Sequence, residues 1–213
     1  LVAALAYTYA PFHLVNVYVR GDSLSEFYAF VFYPLIVHAL VALHERVCWQ
    51  RVAWLALAYG GLILTHNVSA LIFSPFVALA ILLLLPASRE GRARWLFTSA
   101  AGLIGGLLLS VWFWWPALRE RGWGHMAEMT TGYFHYSGHF RGLDLVQPRL
   151  LFDYAVTADR TPFVMGLVQA LIALGGLMAL ALAYRRLSHD DGEGALGKRG
   201  LLCGFAVLSF IIA

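Results

Sequence analysis

Charged side chains are scarce in this chain of 213 residues. They make up 13% of the sequence, whereas hydrophobic residues make up 61%, and the mean hydropathy is +0.72. Soluble globular domains carry about 25% charged residues, so this composition excludes an ordinary water-soluble fold. It favours an all-α membrane protein, in which each membrane-crossing helix needs roughly 20 apolar residues.

Cysteine and net charge are also low. Cys48 falls in a predicted inner loop and Cys203 in a predicted span, so the pair indicates neither a disulfide framework nor a metal site. The net charge of +3 includes no basic patch away from the membrane edges, so it gives no reason to expect nucleic acid as a partner. The sequence opens and stops inside apolar runs, without a signal peptide, and this predicts a fragment of a larger protein.

The apolar runs predict a polytopic transmembrane helical bundle that forms a single domain over residues 1–213. It has about six spans and a truncated seventh. Between the first two runs, His13, Asn16 and Arg20 recur at helical spacing, which predicts a short interfacial helix at residues 11–20. The predicted spans are residues 1–12, 24–43, 49–64, 68–86, 95–118, 162–184 and 201–213, and residues 119–161 form a long loop.

The arginines and the lysine of the short loops predict the orientation of the chain. They concentrate in loops 44–51, 87–94 and 185–199, which the positive-inside rule assigns to the cytoplasm. Loop 119–161 is then extracytoplasmic. The sequence therefore predicts a multi-pass protein of the cell membrane, with its chemically interesting residues on the outer face.

The segment RGDSLSE at residues 20–26 is the first group that could carry chemistry. Ser23 and Glu26 have the spacing of a capping box, which is a structural interpretation. Alternatively, Arg20, Asp22 and Glu26 line a polar cleft, where a carboxylate activates a nucleophile and the arginine holds a phosphate. The two interpretations are compatible, because a cap also fixes the position of its carboxylate.

The tight turn LTHNVS at residues 64–69 is the second group. A turn this short places His66 near the hydrocarbon boundary, where polar residues are often functional. The structural alternative makes Asn67 the N-cap of the next span and His66 a hydrogen-bonded packing residue. Both interpretations stay open at this stage.

The long outer loop contains the third group. His135 and His139 are four residues apart, a spacing that on a helix would present two imidazoles to a divalent metal. Gly138 lies between them and argues against a continuous helix, so ordinary loop histidines are favoured. The cofactor is thus undetermined, with a divalent metal as the alternative. Glu120 and Arg141 are further polar candidates in this loop.

Residues 9–21 (YAPFHLVNVYVRG), followed by Ser25-Glu26, LTHN at 64–67 and WWPAL at 114–118 with Glu120, resemble a known family. It consists of large bacterial membrane proteins labelled "6-pyruvoyl-tetrahydropterin synthase-related". Their architecture is similar to that of C-type (GT-C) glycosyltransferases, which take a sugar from a polyprenyl-phosphate donor at the outer face. The resemblance implies helical spans, an interfacial helix and an outer active site.

The leading functional hypothesis is glycosyl transfer from a polyprenyl-phosphate-linked sugar, with membrane lipid as a further partner. A transporter or lipid flippase would need ionisable residues in mid-span, and His38, the main candidate, is interpreted as a core residue. A non-catalytic envelope assembly protein is the third alternative. Under the leading hypothesis the catalytic residues are Asp22, Glu26 and Glu120, and the substrate-binding residues are Arg20, His66, Asn67 and Arg141.

Overall fold

The computed structural model describes residues 2–21, 23–85, 91–123, 131, 135, 145–157 and 162–188. These residues are mostly helical, as the composition predicts. A 3-10 turn at Arg121–Trp123 follows α7, and two short parallel strands, β1 (Val146–Gln147) and β2 (Met165–Gly166), precede the last helix. The helices are α1 (Val2–Thr8), α2 (Pro11–Tyr18), α3 (Leu24–Glu45), α4 (Trp49–Thr65), α5 (Asn67–Leu84), α6 (Arg92–Leu109), α7 (Val111–Arg119) and α8 (Leu167–Ser188).

Two of these helices, α3 and α5, are long and apolar enough to cross a membrane. The bent pair α6 and α7 makes a third if it forms one broken span. Large apolar side chains on the outside of the bundle fit such a setting, since Leu71 is 74% exposed and Trp54 67% exposed. These helices support a membrane location. The predicted short helix at residues 11–20 is confirmed as α2.

The predicted span at residues 95–118 is divided into two helices. The chain bends by 66° between α6 and α7, at Ser110. The Ser110 hydroxyl donates to the carbonyl oxygens of Gly106 at 2.9 Å and Leu107 at 3.1 Å, and the Trp114 indole donates to Leu107 at 3.0 Å. Such side-chain hydrogen bonds compete with the helical ladder and bend helices.

The predicted span at residues 162–184 contains a helix, but this helix begins later than predicted. Met165–Gly166 pairs with β1 and the Met165 amide donates to Leu145, so the chain is extended there and α8 begins only at Leu167. Pro162 is therefore a buried residue ahead of the helix, and not part of its first turn. The predicted span 201–213 lies outside the described residues.

The core lies among α3, α4, α5 and α6. Glycines let α4 and α6 approach closely: a Cβ on Gly60 would lie 3.1 Å from the Gly106 carbonyl oxygen. At the end of α5, the Trp95 indole donates to Ile81 at 2.9 Å and the His44 ring nitrogen lies 3.2 Å from the Leu84 carbonyl. These contacts satisfy carbonyls that a helix terminus leaves without intrahelical donors.

Candidate functional site

An ion pair between Arg20 and Glu26 stands at the start of α3. The Arg20 Nη1 lies 2.5 Å from Glu26 Oε2, and the Glu26 side chain is only 20% exposed. Gly21, with φ of 65°, permits the tight turn that brings the two residues together. The Ser23 side chain forms no capping hydrogen bond, so the serine half of the predicted capping box is not formed, and Glu26 pairs with Arg20.

The end of α2 fixes the guanidinium from the other side. Arg20 Nη1 also donates to Asn16 Oδ1 at 3.1 Å, and the buried Asn16 amide donates in turn to the Phe12 carbonyl at 3.3 Å. The guanidinium lies 6.0 Å from the centroid of the Phe163 ring, which is cation–π range. Arg20 is thereby held in one position while its side chain stays 39% exposed.

A buried aromatic group supports α2 on α3. The His13 ring stacks on Phe30 at 4.1 Å between centroids and meets Tyr7 edge-on at 4.7 Å. The Tyr7 hydroxyl donates to the Phe30 carbonyl at 2.6 Å. Burial lowers the pKa of His13 to about 4, against a smaller opposing effect of the hydrogen bonds that the ring donates to the Thr8 and Tyr7 backbone. His13 is therefore neutral at neutral pH and serves as a packing group.

A polar path runs from near this ion pair to the turn between α4 and α5, and its first step, from Glu26 to Tyr33, is electrostatic rather than a hydrogen bond. Tyr33 lies two helical turns beyond Glu26, is close enough to feel its charge, and is hydrogen-bonded to the Ser69 side chain. Ser69 Oγ is 2.7 Å from His66 Nδ1, and the Ser69 amide donates to the same nitrogen at 3.2 Å. Because Nδ1 accepts from the amide, the neutral His66 carries its proton on Nε2.

The His66 geometry shows which residue caps α5. His66, and not Asn67, is the N-cap of α5, because its ring accepts from the Ser69 amide. The Asn67 side chain instead accepts from the Val68 amide at 2.9 Å. His66 thus caps α5 through Nδ1, and its second ring nitrogen is a donor.

Part of the loop between α7 and α8 packs back onto α2. Gln147 is buried and exchanges two hydrogen bonds with the Asp153 backbone, at 2.6 and 3.1 Å. This brings Tyr154 to within 6.2 Å of Tyr18, at the end of α2, measured between ring centroids. Burial, and secondarily Tyr18, raises the pKa of Tyr154. Arg149 and Asp153 form a separate ion pair at 2.8 Å.

Several predicted site residues do not join this cluster. Glu120 is exposed where α7 ends, and within the described part of the chain no hydrogen bond connects it to Arg20 or Glu26. His135 is described without His139, so the metal prediction for the pair is untested. Among the described residues, no three His, Cys, Asp or Glu side chains are grouped as metal ligands. Asp22, His139 and Arg141 lie outside the described residues.

Four residues of this site were not predicted as site residues from the sequence. Asn16 precedes Arg20 by one helical turn, and Tyr33 follows Glu26 by seven residues, so both spacings could have indicated a shared helix face. Ser69 stands three residues after His66, at the position that an N-cap contacts. Phe163 is far away in sequence, and nothing in the sequence places it beside Arg20.

Comparison with protein-family models, curated proteins and solved structures finds no match for this chain.

Proposed function

We propose that this chain transfers a sugar from a polyprenyl-phosphate-linked donor to an acceptor hydroxyl at the membrane surface. The observation that carries the proposal is the Arg20–Glu26 pair, held by Asn16 at the start of a helix able to cross a membrane. It offers a fixed phosphate-binding cation beside a carboxylate. The resemblance of residues 9–21, 64–67 and 114–118 to the GT-C-like family gives independent support.

The proposed roles follow from the chemistry of the two groups. The donor phosphate pairs with the Arg20 guanidinium, which suits phosphate oxygens geometrically, and thereby competes with Glu26. The freed carboxylate accepts the proton of the acceptor hydroxyl while the hydroxyl oxygen bonds to the anomeric carbon of the sugar. The bond from that carbon to the phosphate oxygen breaks, and polyprenyl phosphate leaves with the electron pair.

The polar path from Glu26 through Tyr33 and Ser69 to His66 has a supporting role in this scheme. It orients groups along one face of the site, and the His66 Nε2–H can donate to a sugar hydroxyl or phosphate oxygen. Asp22, Glu120 and Arg141 keep their proposed contributions as an alternative base and as substrate contacts. Asn67 keeps its proposed substrate role through its side-chain NH2 group, since it is the side-chain oxygen that accepts from the adjacent Val68 amide.

The proposal also includes a detailed membrane topology, with more spans than the two or three helices that are long and apolar enough to cross a membrane. About six spans and a seventh would form a GT-C-like bundle, with loops 44–51, 87–94 and 185–199 in the cytoplasm. The Arg20–Glu26 pair and loop 119–161 would then face outwards. Accessibility of single cysteines introduced at Ser25 and at Arg46 tests this orientation, because the two positions should be labelled from opposite sides.

The activity test uses the full chain, purified in detergent, with labelled polyprenyl-phosphate sugars and a panel of acceptors. Arg20→Ala and Glu26→Gln should each reduce transfer by at least about 100-fold, the scale of general acid–base and phosphate contacts. Arg149→Ala removes a comparable ion pair away from the cluster, at 2.8 Å. This control should leave transfer within about twofold.

Two outcomes would contradict the proposal. Transfer that persists in the double variant Arg20→Ala with Glu26→Ala would remove both residues from the reaction. Absence of transfer by the folded wild-type chain across donors, together with a loss of stability in the Glu26→Gln variant, would favour the non-catalytic alternative, in which the ion pair is only structural.

A further inference from the structure

A groove of about 400 Å³ lies between α3 and α4, on the side of the bundle away from the Arg20–Glu26 pair. It extends along α3 from Ala42 to Phe32, ten residues of helix, which is about 15 Å. That length equals half of the roughly 30 Å hydrocarbon core, or one lipid leaflet. Its walls are mainly apolar, including Leu35, Trp54 and Leu57.

The polar groups of the groove are gathered at one end. Arg51 lines it where α4 begins, and its guanidinium donates to the Ala42 carbonyl, and to the Arg46 carbonyl at 3.2 Å. The Glu45 carboxylate lies 4.0 Å from the same guanidinium. Together these contacts hold the cation at the mouth of the groove, where a lipid phosphate would compete with Glu45 for it. His38 lies one helical turn deeper on the same wall. It is exposed, so its predicted place in the core was wrong.

We propose that this groove binds an anionic phospholipid. The phosphate pairs with Arg51, a glycerol or ester oxygen accepts from His38, and one acyl chain lies along Leu35, Phe32 and Trp54. From its mouth inwards, the groove presents a cation, an imidazole and an apolar wall. A phospholipid has its phosphate, glycerol esters and acyl chains in the same order. Basic pockets between transmembrane helices recognise anionic headgroups in this way. If a helix of another protein bound in the groove instead, it would have to place an acidic residue beside Arg51.

Native mass spectrometry of the detergent-purified full chain tests the headgroup contact. Phosphatidylglycerol should be retained about tenfold more than phosphatidylcholine, and Arg51→Gln should remove most of this preference. Arg46→Gln is the matched control, because Arg46 is an exposed arginine of the same loop that does not line the groove. Equal retention by the two variants, or equal retention of the two lipids, would overturn the proposal.

A second measurement tests the acyl-chain contact without altering any charge. Phosphatidylglycerol brominated on its acyl chains should quench part of the tryptophan fluorescence in a saturable way. Trp54→Phe should abolish that saturable part, because Trp54 lines the groove. Trp49→Phe, at an exposed position of the same helix, should retain it. Saturable quenching that survives in Trp54→Phe, or none in the wild-type chain, would refute acyl-chain binding in this groove.

Discussion

Tyr7→Phe should destabilise the chain only while Pro34 is present. A proline inside a helix has no amide proton, so the carbonyl four residues earlier, that of Phe30, loses its intrahelical donor. The Tyr7 hydroxyl replaces that donor, at 2.6 Å. Within a bilayer no water can take over this role, which makes an unpaired carbonyl costly.

The size of the effect follows from measured interhelical hydrogen bonds in membrane proteins, which average about 0.6 kcal/mol and reach about 1.7 kcal/mol. Tyr7→Phe should therefore lower the free energy of unfolding by about 1 kcal/mol. In a Pro34→Ala background the new amide at position 34 pairs with Phe30, and the same change should have little effect. The coupling between the two sites is thus about 1 kcal/mol.

The assay is reversible unfolding of all four proteins by dodecyl sulfate in mixed micelles, followed by circular dichroism. Tyr28→Phe is the control, because this tyrosine lies on α3, like Phe30 and Pro34, and its side chain is 58% exposed. It should change the midpoint little in either background. An equal loss from Tyr7→Phe with proline and with alanine at position 34 would refute the reasoning.

Two further predictions concern stability. Gly106→Ala should lower the unfolding free energy by about 1–3 kcal/mol, because its Cβ would lie 2.9 Å from backbone atoms of Ala56 and Gly60. Gly175→Ala is the control, because a Cβ there meets open space and should be tolerated. Thermal unfolding of the two variants in detergent measures the difference. Burial lowers the pKa of His13 to about 4, below about 6.5 in an unfolded chain. The unfolded state then binds more protons between these values, so stability should fall by up to about 3 kcal/mol from pH 6.5 to pH 4. His13→Gln should lack most of this slope in unfolding titrations, and an unchanged slope would exclude His13 as its source.

Local pattern was sufficient to predict most helices. The helices at residues 11–18, 24–45, 49–65 and 67–84 follow from apolar runs and the polar turns between them, because a backbone in hydrocarbon must satisfy its hydrogen bonds internally. The sequence also singled out Arg20, Glu26 and His66 as polar residues at helix ends. It did not predict the bend at Ser110, which depends on which carbonyls the serine and Trp114 side chains reach.

Tertiary packing decided which of these polar residues act together. Arg20 could have remained a surface charge and Glu26 a helix cap, but the turn at Gly21 and the Asn16 amide join them in one ion pair. Phe163 and Tyr154 reach α2 only because β1 and β2 pair across a long loop. Sequence periodicity identifies the face of one helix, whereas contacts between distant segments depend on how whole helices and loops pack.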